Sequence, residues 1–161
     1  MSDFSHINKS NQPKMVDVGL KQESRRVARA QALIKVSNEL YEAIENSALG
    51  NEFHSAKGPV FQTAIIAGIQ GVKQCANLIP MCHPLAISGV DIKINADKNQ
   101  EIKIICEVKV EGKTGVEMEA LMGANIAALT VYDMCKAVDP YMVVRELKVL
   151  EKQGGKRDFQ L

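Results

Sequence analysis

Alternation of apolar and polar positions predicts four β-strands along this chain. Residues 87–97 alternate apolar with polar side chains, and residues 101–112 repeat the pattern after a short polar turn. Two such runs around a polar turn are typical of a β-hairpin. Two more strands are predicted at residues 26–36 and 142–152, where apolar positions again alternate with polar ones.

Apolar positions at helical spacing predict three helices between these strands. The first covers residues 38–49, and Ser37 before it is a suitable N-cap. The second begins at Pro59 and ends before Pro80, since proline is favoured at a helix start and stops a helix at its end. The third covers residues 116–138.

Two glycines, Gly68 and Gly71, interrupt the second predicted helix. Each costs about 1 kcal/mol of helix stability relative to alanine, so both need a reason to be there. Close packing against another helix is the favoured explanation, and the close approach of a ligand is the alternative. The preceding residues 50–58 are predicted to form a loop.

The order of elements is strand, two helices, hairpin, helix, strand. This predicts a ferredoxin-like β-α-β-β-α-β sandwich with an extra helix, an α+β fold with an antiparallel sheet. Residues 14–161 are expected to form one domain after a flexible, polar segment at residues 1–13. The helices should cover one face of the sheet. We expect the other face to expose apolar residues, which favours an oligomer.

Composition narrows the functions that this fold could serve. The chain has 161 residues, a net charge of +1, no tryptophan and only 4% aromatic residues. Nucleic-acid binding is disfavoured, because it relies on a basic excess and on exposed aromatic side chains. No apolar run approaches the ~20 residues of a membrane helix. The four cysteines form no C-x-x-C pair and the first residues resemble no signal peptide, so we expect a cytoplasmic protein with free thiols.

Two short motifs carry side chains suited to catalysis. The first is Cys82-His83, held between two prolines in the run IPMCHPL. It can form a rigid turn or present an imidazole to a substrate, whereas a metal site is disfavoured because only Cys75 is near in sequence. The second is Asp133 with Lys136, neighbours on one helix face. They form either an exposed ion pair or, in apolar surroundings, a partly desolvated acid/base pair with pKa values shifted toward neutral.

Several lysines stand beside glycines or turns, which suggests a polyphosphate site. The run Gly112-Lys113-Thr114 is not a P-loop, because Glu107 occupies the position where that motif needs glycine. It can still favour an anion before a helix. Convergence of several such lysines would bind phosphates, while each one alone is ordinary surface charge. The lysines concerned are Lys57, Lys73, Lys113 and Lys156.

Six runs of residues together resemble the cyclic pyranopterin monophosphate synthase family of molybdenum cofactor biosynthesis. They are MVDV (15–18), KGPVFQTAIIAGIQGVK (57–73), LIPMCHPL (78–85), GKTGVEMEAL (112–121), ALTVYDMCKAVD (128–139) and VLEKQGGK (149–156). The resemblance implies a lyase that converts (8S)-3′,8-cyclo-7,8-dihydroguanosine 5′-triphosphate to cyclic pyranopterin monophosphate and releases pyrophosphate. It also implies a partner radical GTP cyclase that supplies the substrate, and a homo-hexamer, a trimer of dimers with sites at the dimer interfaces.

The resemblance also implies roles for individual residues. The catalytic residues would be Asp133, Lys136, Lys57 and His83. The substrate-binding residues would be Met81, Cys82, His83, Met118, Glu119, Arg26, Lys73, Lys152 and Lys156. No metal site and no cofactor are expected, although a divalent ion could accompany the triphosphate.

Two other functions remain open on the sequence. A non-catalytic purine-nucleotide-binding module could use the same fold and the lysines for affinity alone. An RNA-binding module is disfavoured, because residues 101–110 of the predicted hairpin carry no aromatic side chain for base stacking. Glu119 and Asp133 would lie about 21 Å apart along one helix at about 1.5 Å per residue. They can serve one compact reacting centre only from two different chains, whereas an extended nucleotide could bridge part of that distance within one chain. The interface sites that the resemblance implies favour the site shared between chains.

Overall fold

A computed structural model describes residues 7–8, 10–47, 52–155 and 157–161. Its main feature is a five-stranded antiparallel sheet of order β4-β5-β1-β6-β7, with a separate two-stranded β2-β3 pair. Of the helices in these described ranges, none is long and apolar enough to span a membrane. In chain order the elements are β1 (Ser24–Lys35), α1 (Asn38–Glu45), β2 (His54–Ser55), β3 (Gly58–Pro59), α2 (Val60–Leu78), β4 (Ile87–Asp97), β5 (Glu101–Gly112), α3 (Glu117–Cys135), β6 (Val143–Gln153) and β7 (Phe159–Gln160).

The predicted ferredoxin-like arrangement is confirmed. The four long strands β1, β4, β5 and β6 pair in the order that a β-α-β-β-α-β chain gives, and α1 is the extra helix. The hairpin turn between β4 and β5 is stabilised by Asp97, whose carboxylate accepts a hydrogen bond from the backbone N–H of Asn99 at 2.9 Å. Such side-chain-to-backbone bonds are typical of turns.

The loop predicted at residues 50–58 is wrong in part. His54 pairs with Pro59 across a tight turn, and Gly58 has a φ of 108°, a conformation suited to glycine. The strands β2, β3 and β7 have two residues each, which is too short to show alternation in sequence. Residues 48–51, where the first helix was expected to end and the loop to begin, lie outside the described residues.

The predicted N-cap of α1 is confirmed, but the predicted length of the helix is not. The hydroxyl of Ser37 accepts a hydrogen bond from the N–H of Leu40 at 3.2 Å, as an N-cap does. Its own N–H donates to the buried carboxylate of Asp139 at 2.5 Å. The helix ends at Glu45 with Asn46 as C-cap, so the prediction of residues 38–49 was too long.

Small residues allow the helices to approach one another and the sheet. Ala28, Ala30 and Ala32 of β1 are completely buried under the helices. At the crossing of α2 and α3, a Cβ added to Gly68 would lie 2.8 Å from the backbone oxygen of Gly123. Real Cβ atoms essentially never come so close to backbone, so Gly68 is there for helix packing. This confirms the favoured explanation.

The second face of the sheet is charged, and the expectation of an exposed apolar face was wrong. Arg29 of β1 lies 3.2 Å from Glu151 and 3.7 Å from Glu107, and Lys109 lies 2.8 Å from Glu107. Because side chains alternate along a strand, the buried apolar side chains of β1, β4 and β5 face the helices, and most of the outward-facing ones are polar. On β6 the apolar Val143 and Leu147 are exposed. The open face therefore gives no argument for an oligomer, which stays a prediction.

Candidate functional site

Three of the four predicted catalytic residues form a compact triad. Lys57 lies in the turn between β2 and β3, and its Nζ donates to Asp133 Oδ2 at 2.6 Å and to the backbone oxygen of Asp133 at 2.9 Å. Lys136, the C-cap of α3, donates to Asp133 Oδ1 at 2.8 Å. The two lysines come from distant segments, and one carboxylate holds both ammonium groups.

The electrostatics of this triad agree with the first alternative, an exposed ion pair, and not with a desolvated acid/base pair. The side chains of Asp133 and Lys136 are each 54% exposed. Hydrogen bonds from Lys136 and then Lys57 lower the pKa of Asp133 to about 2, and the bond to Asp133 raises the pKa of Lys136. The pKa values thus move away from neutral, because solvent reaches the end of the helix and the opposite charges stabilise one another. At neutral pH Asp133 is a carboxylate and Lys136 an ammonium.

A cavity of about 480 Å³ lies at the other end of α3. Five residues that were predicted to contact substrate line it, from the loop after α2 and from the first turn of α3. These are Met81, Cys82, His83, Met118 and Glu119. The residues Val16, Val18 and Lys21 also line it, and the sequence reasoning missed their role. The run MVDV, which lies in this segment, was a signal that could have indicated it.

The N-terminal segment fixes the orientation of the His83 ring. The Nε2 atom of His83 lies 2.8 Å from the backbone oxygen of Val16. A carbonyl oxygen only accepts, so Nε2 carries the proton, and Nδ1 of the neutral ring is left as an acceptor. Lys113 Nζ donates to the backbone oxygen of Gly19 at 2.8 Å. Lys113 therefore holds this segment, where the sequence suggested that it could bind an anion.

Burial changes the acidity of the groups on the cavity wall. Glu119 is only 4% exposed, and desolvation raises its pKa. The same effect, followed by the nearby charge of Glu119, raises the pKa of the Cys82 thiol. A buried carboxyl with a raised pKa is suited to exchanging protons closer to neutral pH than an exposed one.

A second recess of about 280 Å³ adjoins the cavity and shares Thr114, Gly115 and Glu117 with it. Arg26 and Lys152, both predicted to contact the substrate phosphates, line this recess. Lys152 Nζ donates to Glu117 at 2.8 Å, and Arg26 Nε donates to the backbone oxygen of Gly112 at 3.0 Å. The ion pair gives Glu117 a role that its position at a helix start did not reveal.

Of the two remaining residues that were predicted to bind substrate, the structure describes one. Lys73 of α2 lines a small recess of about 140 Å³, which also includes Glu119 and Leu85 from the wall of the main cavity. Lys156, which was also predicted to bind substrate, lies outside the described residues. Lys73 thus lies beside the cavity rather than on its wall.

The structure separates the triad from the cavity within one chain. Glu119 lies in the first turn of α3 and Asp133 in the last, which is about 21 Å along the axis at about 1.5 Å per residue. His83, the fourth predicted catalytic residue, lines the cavity and not the triad. One chain therefore presents the triad and the cavity at opposite ends of one helix.

Comparison with known proteins agrees with the sequence runs. The MoaC family model matches residues 15–155. A cyclic pyranopterin monophosphate synthase from Helicobacter pylori (strain HPAG1) is 48% identical over 154 residues, which cover 95% of this chain and 94% of the relative. A protein of the same name from Lysinibacillus sphaericus (strain C3-41) is 47% identical over 159 residues, covering 97% of this chain and 96% of the relative. The matched range includes the residues of the triad and those that line the cavity.

Proposed function

The chain belongs to the MoaC family, and from that membership we propose that it converts (8S)-3′,8-cyclo-7,8-dihydroguanosine 5′-triphosphate to cyclic pyranopterin monophosphate and pyrophosphate. The reaction is that of a lyase in molybdenum cofactor biosynthesis. Relatives at 47–48% identity carry the name of this synthase and match along nearly the whole chain. The observation that carries the proposal is the Lys57–Asp133–Lys136 triad, which is built from two of the matching runs.

The triad supplies proton donors and positive charge. Asp133 stays ionised and keeps two ammonium groups close together, so that both can face a substrate oxygen that gains negative charge. Preorganised charges of this kind often make the largest contribution to rate. We assign Lys57 and Lys136 to acid catalysis and charge stabilisation, and Asp133 to holding them.

The cavity supplies proton acceptors and contacts to the ring system. His83 Nδ1 is free to accept a proton because Nε2 is bound to the Val16 oxygen. Glu119 can exchange a proton because burial raises its pKa. Opening a purine ring and closing a pyranopterin ring requires several proton transfers, for which positioned groups of both kinds are needed.

The recess beside the cavity suits the phosphates. Arg26 and Lys152 provide cations there, Lys73 lies beside the cavity, and Lys156 belongs to the same matching run as Lys152. The innermost phosphate of a triphosphate bound in this recess would form the cyclic phosphate, and its bond to the two outer phosphates would break, so that these leave as pyrophosphate. A divalent ion with the triphosphate would share this role; the proposal requires no other cofactor.

We propose that the active site is completed by a second copy of the chain. The cavity of one chain would face the triad of its neighbour, because about 21 Å of helix separates the two within a chain. The cavity and the triad are thus two half-sites. The expected assembly is a homo-hexamer, a trimer of such dimers. A radical GTP cyclase would supply the substrate. The four free cysteines suit a reducing cytoplasm.

The decisive experiment supplies the cyclic dihydroguanosine triphosphate to the purified chain and measures pyrophosphate release and the pterin product. The wild-type chain should release pyrophosphate. Asp133→Asn should fold and bind the nucleotide but lose most turnover, because a neutral amide no longer holds two ammonium groups. Binding without any pyrophosphate release by the wild-type chain would instead favour the non-catalytic nucleotide-binding module. Normal release by Asp133→Asn would contradict the role of the triad.

A further inference from the structure

Three side chains with metal-binding atoms meet at the wall of the cavity. Cys75 lies near the end of α2, Cys82 lies in the loop that follows, and Glu119 lies in the first turn of α3. Their two Sγ atoms and a carboxylate oxygen all lie within 4.8 Å of one another. The sequence showed only the two cysteines near one another, and folding adds the third ligand from a helix that follows much later in the chain.

These groups face one another with little solvent, and within the described residues no lysine or arginine forms a salt bridge with Glu119. Cys75 is 1% exposed and Glu119 is 4% exposed. Desolvation is the first cause that raises the pKa of Cys75, of Cys82 and of Glu119. Lys152, the cation of the neighbouring recess, pairs with Glu117 and not with Glu119. A bound cation would stabilise the ionised forms of all three groups at once.

The chemistry of the three ligands selects the kind of cation. Thiolate sulfur favours zinc and similar soft metals, whereas magnesium and calcium prefer oxygen ligands alone. Zinc takes sulfur at about 2.3 Å and carboxylate oxygen at about 2.0–2.2 Å in a tetrahedron. Neighbouring ligand atoms in such a tetrahedron are roughly 3.5–3.8 Å apart. The present separations of at most 4.8 Å exceed these distances by no more than about 1.3 Å.

We propose that Cys75, Cys82 and Glu119 bind one Zn²⁺ ion, and that this ion blocks the substrate cavity. Three protein ligands leave one position of the tetrahedron open, as in zinc sites that exchange ligands. Cys82 and Glu119 line the cavity, so the ion enters from it and its open position is filled by water there. Binding releases the protons of the two thiols. The ion is an inhibitor and has no part in the reaction.

The site is tested with Co²⁺ as a spectroscopic probe on the full, reduced chain under anaerobic conditions. Bonds between thiolate and Co²⁺ give charge-transfer absorption in the near ultraviolet. The wild-type chain should bind one equivalent with this absorption, and Zn²⁺ should displace it. Cys75→Ser should weaken binding at least tenfold and reduce the absorption. Cys106→Ser is the matched control, because Cys106 is equally buried but lies in β5.

The proposal that the ion blocks the cavity rests on the proposed function, and it is tested by the rate of pyrophosphate release. Without added metal, Cys75→Ser should release pyrophosphate at the wild-type rate, because Cys75 does not line the cavity. Added Zn²⁺ should inhibit the wild-type and Cys106→Ser chains at concentrations at least tenfold below those needed for Cys75→Ser. Cys75→Ala serves as a second variant if the serine chain folds poorly by circular dichroism.

Two results would overturn the site. One is the absence of thiolate-to-Co²⁺ absorption in the wild-type chain, and the other is equal Zn²⁺ affinity of the wild-type and Cys75→Ser chains. A chain that binds Co²⁺ as expected but releases no pyrophosphate with any variant contradicts the proposed function and leaves the metal site standing. The two proposals therefore fail in different ways.

Discussion

On the scale of single residues, two lysines keep the carboxylate of Asp133 ionised. Asp133 accepts hydrogen bonds from Lys57 and Lys136, and its pKa falls to about 2. Its depressed pKa favours the folded state above the unfolded value of about 3.9, and this contribution is lost as the pH falls toward 2. The charge of Asp133 is therefore constant over the pH range in which an enzyme of this kind works.

Replacing Lys57 tests the triad directly. Lys57→Ala should lower the rate of pyrophosphate release at least tenfold, since a single charge-stabilising contact is typically worth a few kcal/mol. Lys136→Ala should do the same. The matched control is Lys93→Ala, which removes an exposed lysine that forms a salt bridge with Asp91 on the open face of the sheet. Losses below twofold for both triad variants would make these lysines ordinary surface charges.

Replacing Glu119 tests the consequence of its burial. Its folded-state pKa is raised, so the ionised carboxylate destabilises the fold as the pH rises through that value. Glu119→Gln should therefore raise Tm at pH 8, by roughly 2–4 °C if about 1 kcal/mol is recovered. The gain should shrink at pH 5. Thermal unfolding at both pH values measures it, with the exposed Glu111→Gln as control. Equal shifts at both pH values would contradict the burial argument.

The sequence predicted pairs of residues better than it predicted their surroundings. The spacing of Asp133 and Lys136 indicated neighbours on α3, and they are 2.8 Å apart. Their solvent exposure did not follow from the apolar residues around them, because the buried ones, Val131, Met134 and Cys135, face the core while Asp133 and Lys136 stay exposed. The approach of Lys57 could not be derived from spacing either, since a turn far away in the chain supplies it.

On the scale of elements, the crossing of α2 and α3 depends on the absence of a side chain at Gly68. Gly68→Ala should destabilise the fold by about 1–3 kcal/mol, because the new Cβ would lie 2.8 Å from the Gly123 oxygen and neither helix can move freely. The better helix propensity of alanine offsets about 1 kcal/mol of this cost. The midpoint of urea unfolding measures the difference.

Gly89→Ala on β4 is the matched control for that variant. A Cβ there would meet nothing nearer than 3.8 Å, which is ordinary contact. The control should unfold near the wild-type urea concentration. If Gly68→Ala does so too, the helices have room between them and the close crossing does not limit stability.

Elements with a long pattern were predictable and short ones were not. The strands β1, β4, β5 and β6 have 11 or 12 residues, which is enough for alternation to be visible. The short strands β2, β3 and β7 depend on backbone contacts that form on folding. A strand of two residues is too short to show alternation of apolar and polar positions in the sequence. The helix α1 ended earlier than predicted because Asn46 caps it, although apolar residues continue beyond.

On the scale of the whole molecule, the two half-sites predict complementation between inactive chains. Glu119→Ala and Asp133→Asn should each be inactive alone, because each damages a different half-site. Mixed and allowed to exchange subunits, they should regain activity, since random pairing across a two-fold interface leaves roughly a quarter of sites with both residues intact. Pyrophosphate release before and after exchange measures this.

Exchange itself must be verified, which chains carrying different mass tags allow. Mixed dimers detected by native mass spectrometry, with activity no higher than that of the separate variants, would contradict a site shared between chains. Recovery to about a quarter of the wild-type rate would support a site that takes its cavity from one chain and its triad from another.

The position of β1 in the sheet has a consequence for how the chain is made. This strand leaves the ribosome first, yet it lies between β5 and β6, and Arg29 pairs with Glu107 on one side and Glu151 on the other. At roughly 5–20 residues per second, the nascent strand waits several seconds for either neighbour. The alanine and isoleucine side chains of β1, which are buried in the folded protein, are exposed during that time. If synthesis stalls before β6, the edge of β1 that pairs with β6 stays unpaired. We expect such chains to need chaperones until translation is complete.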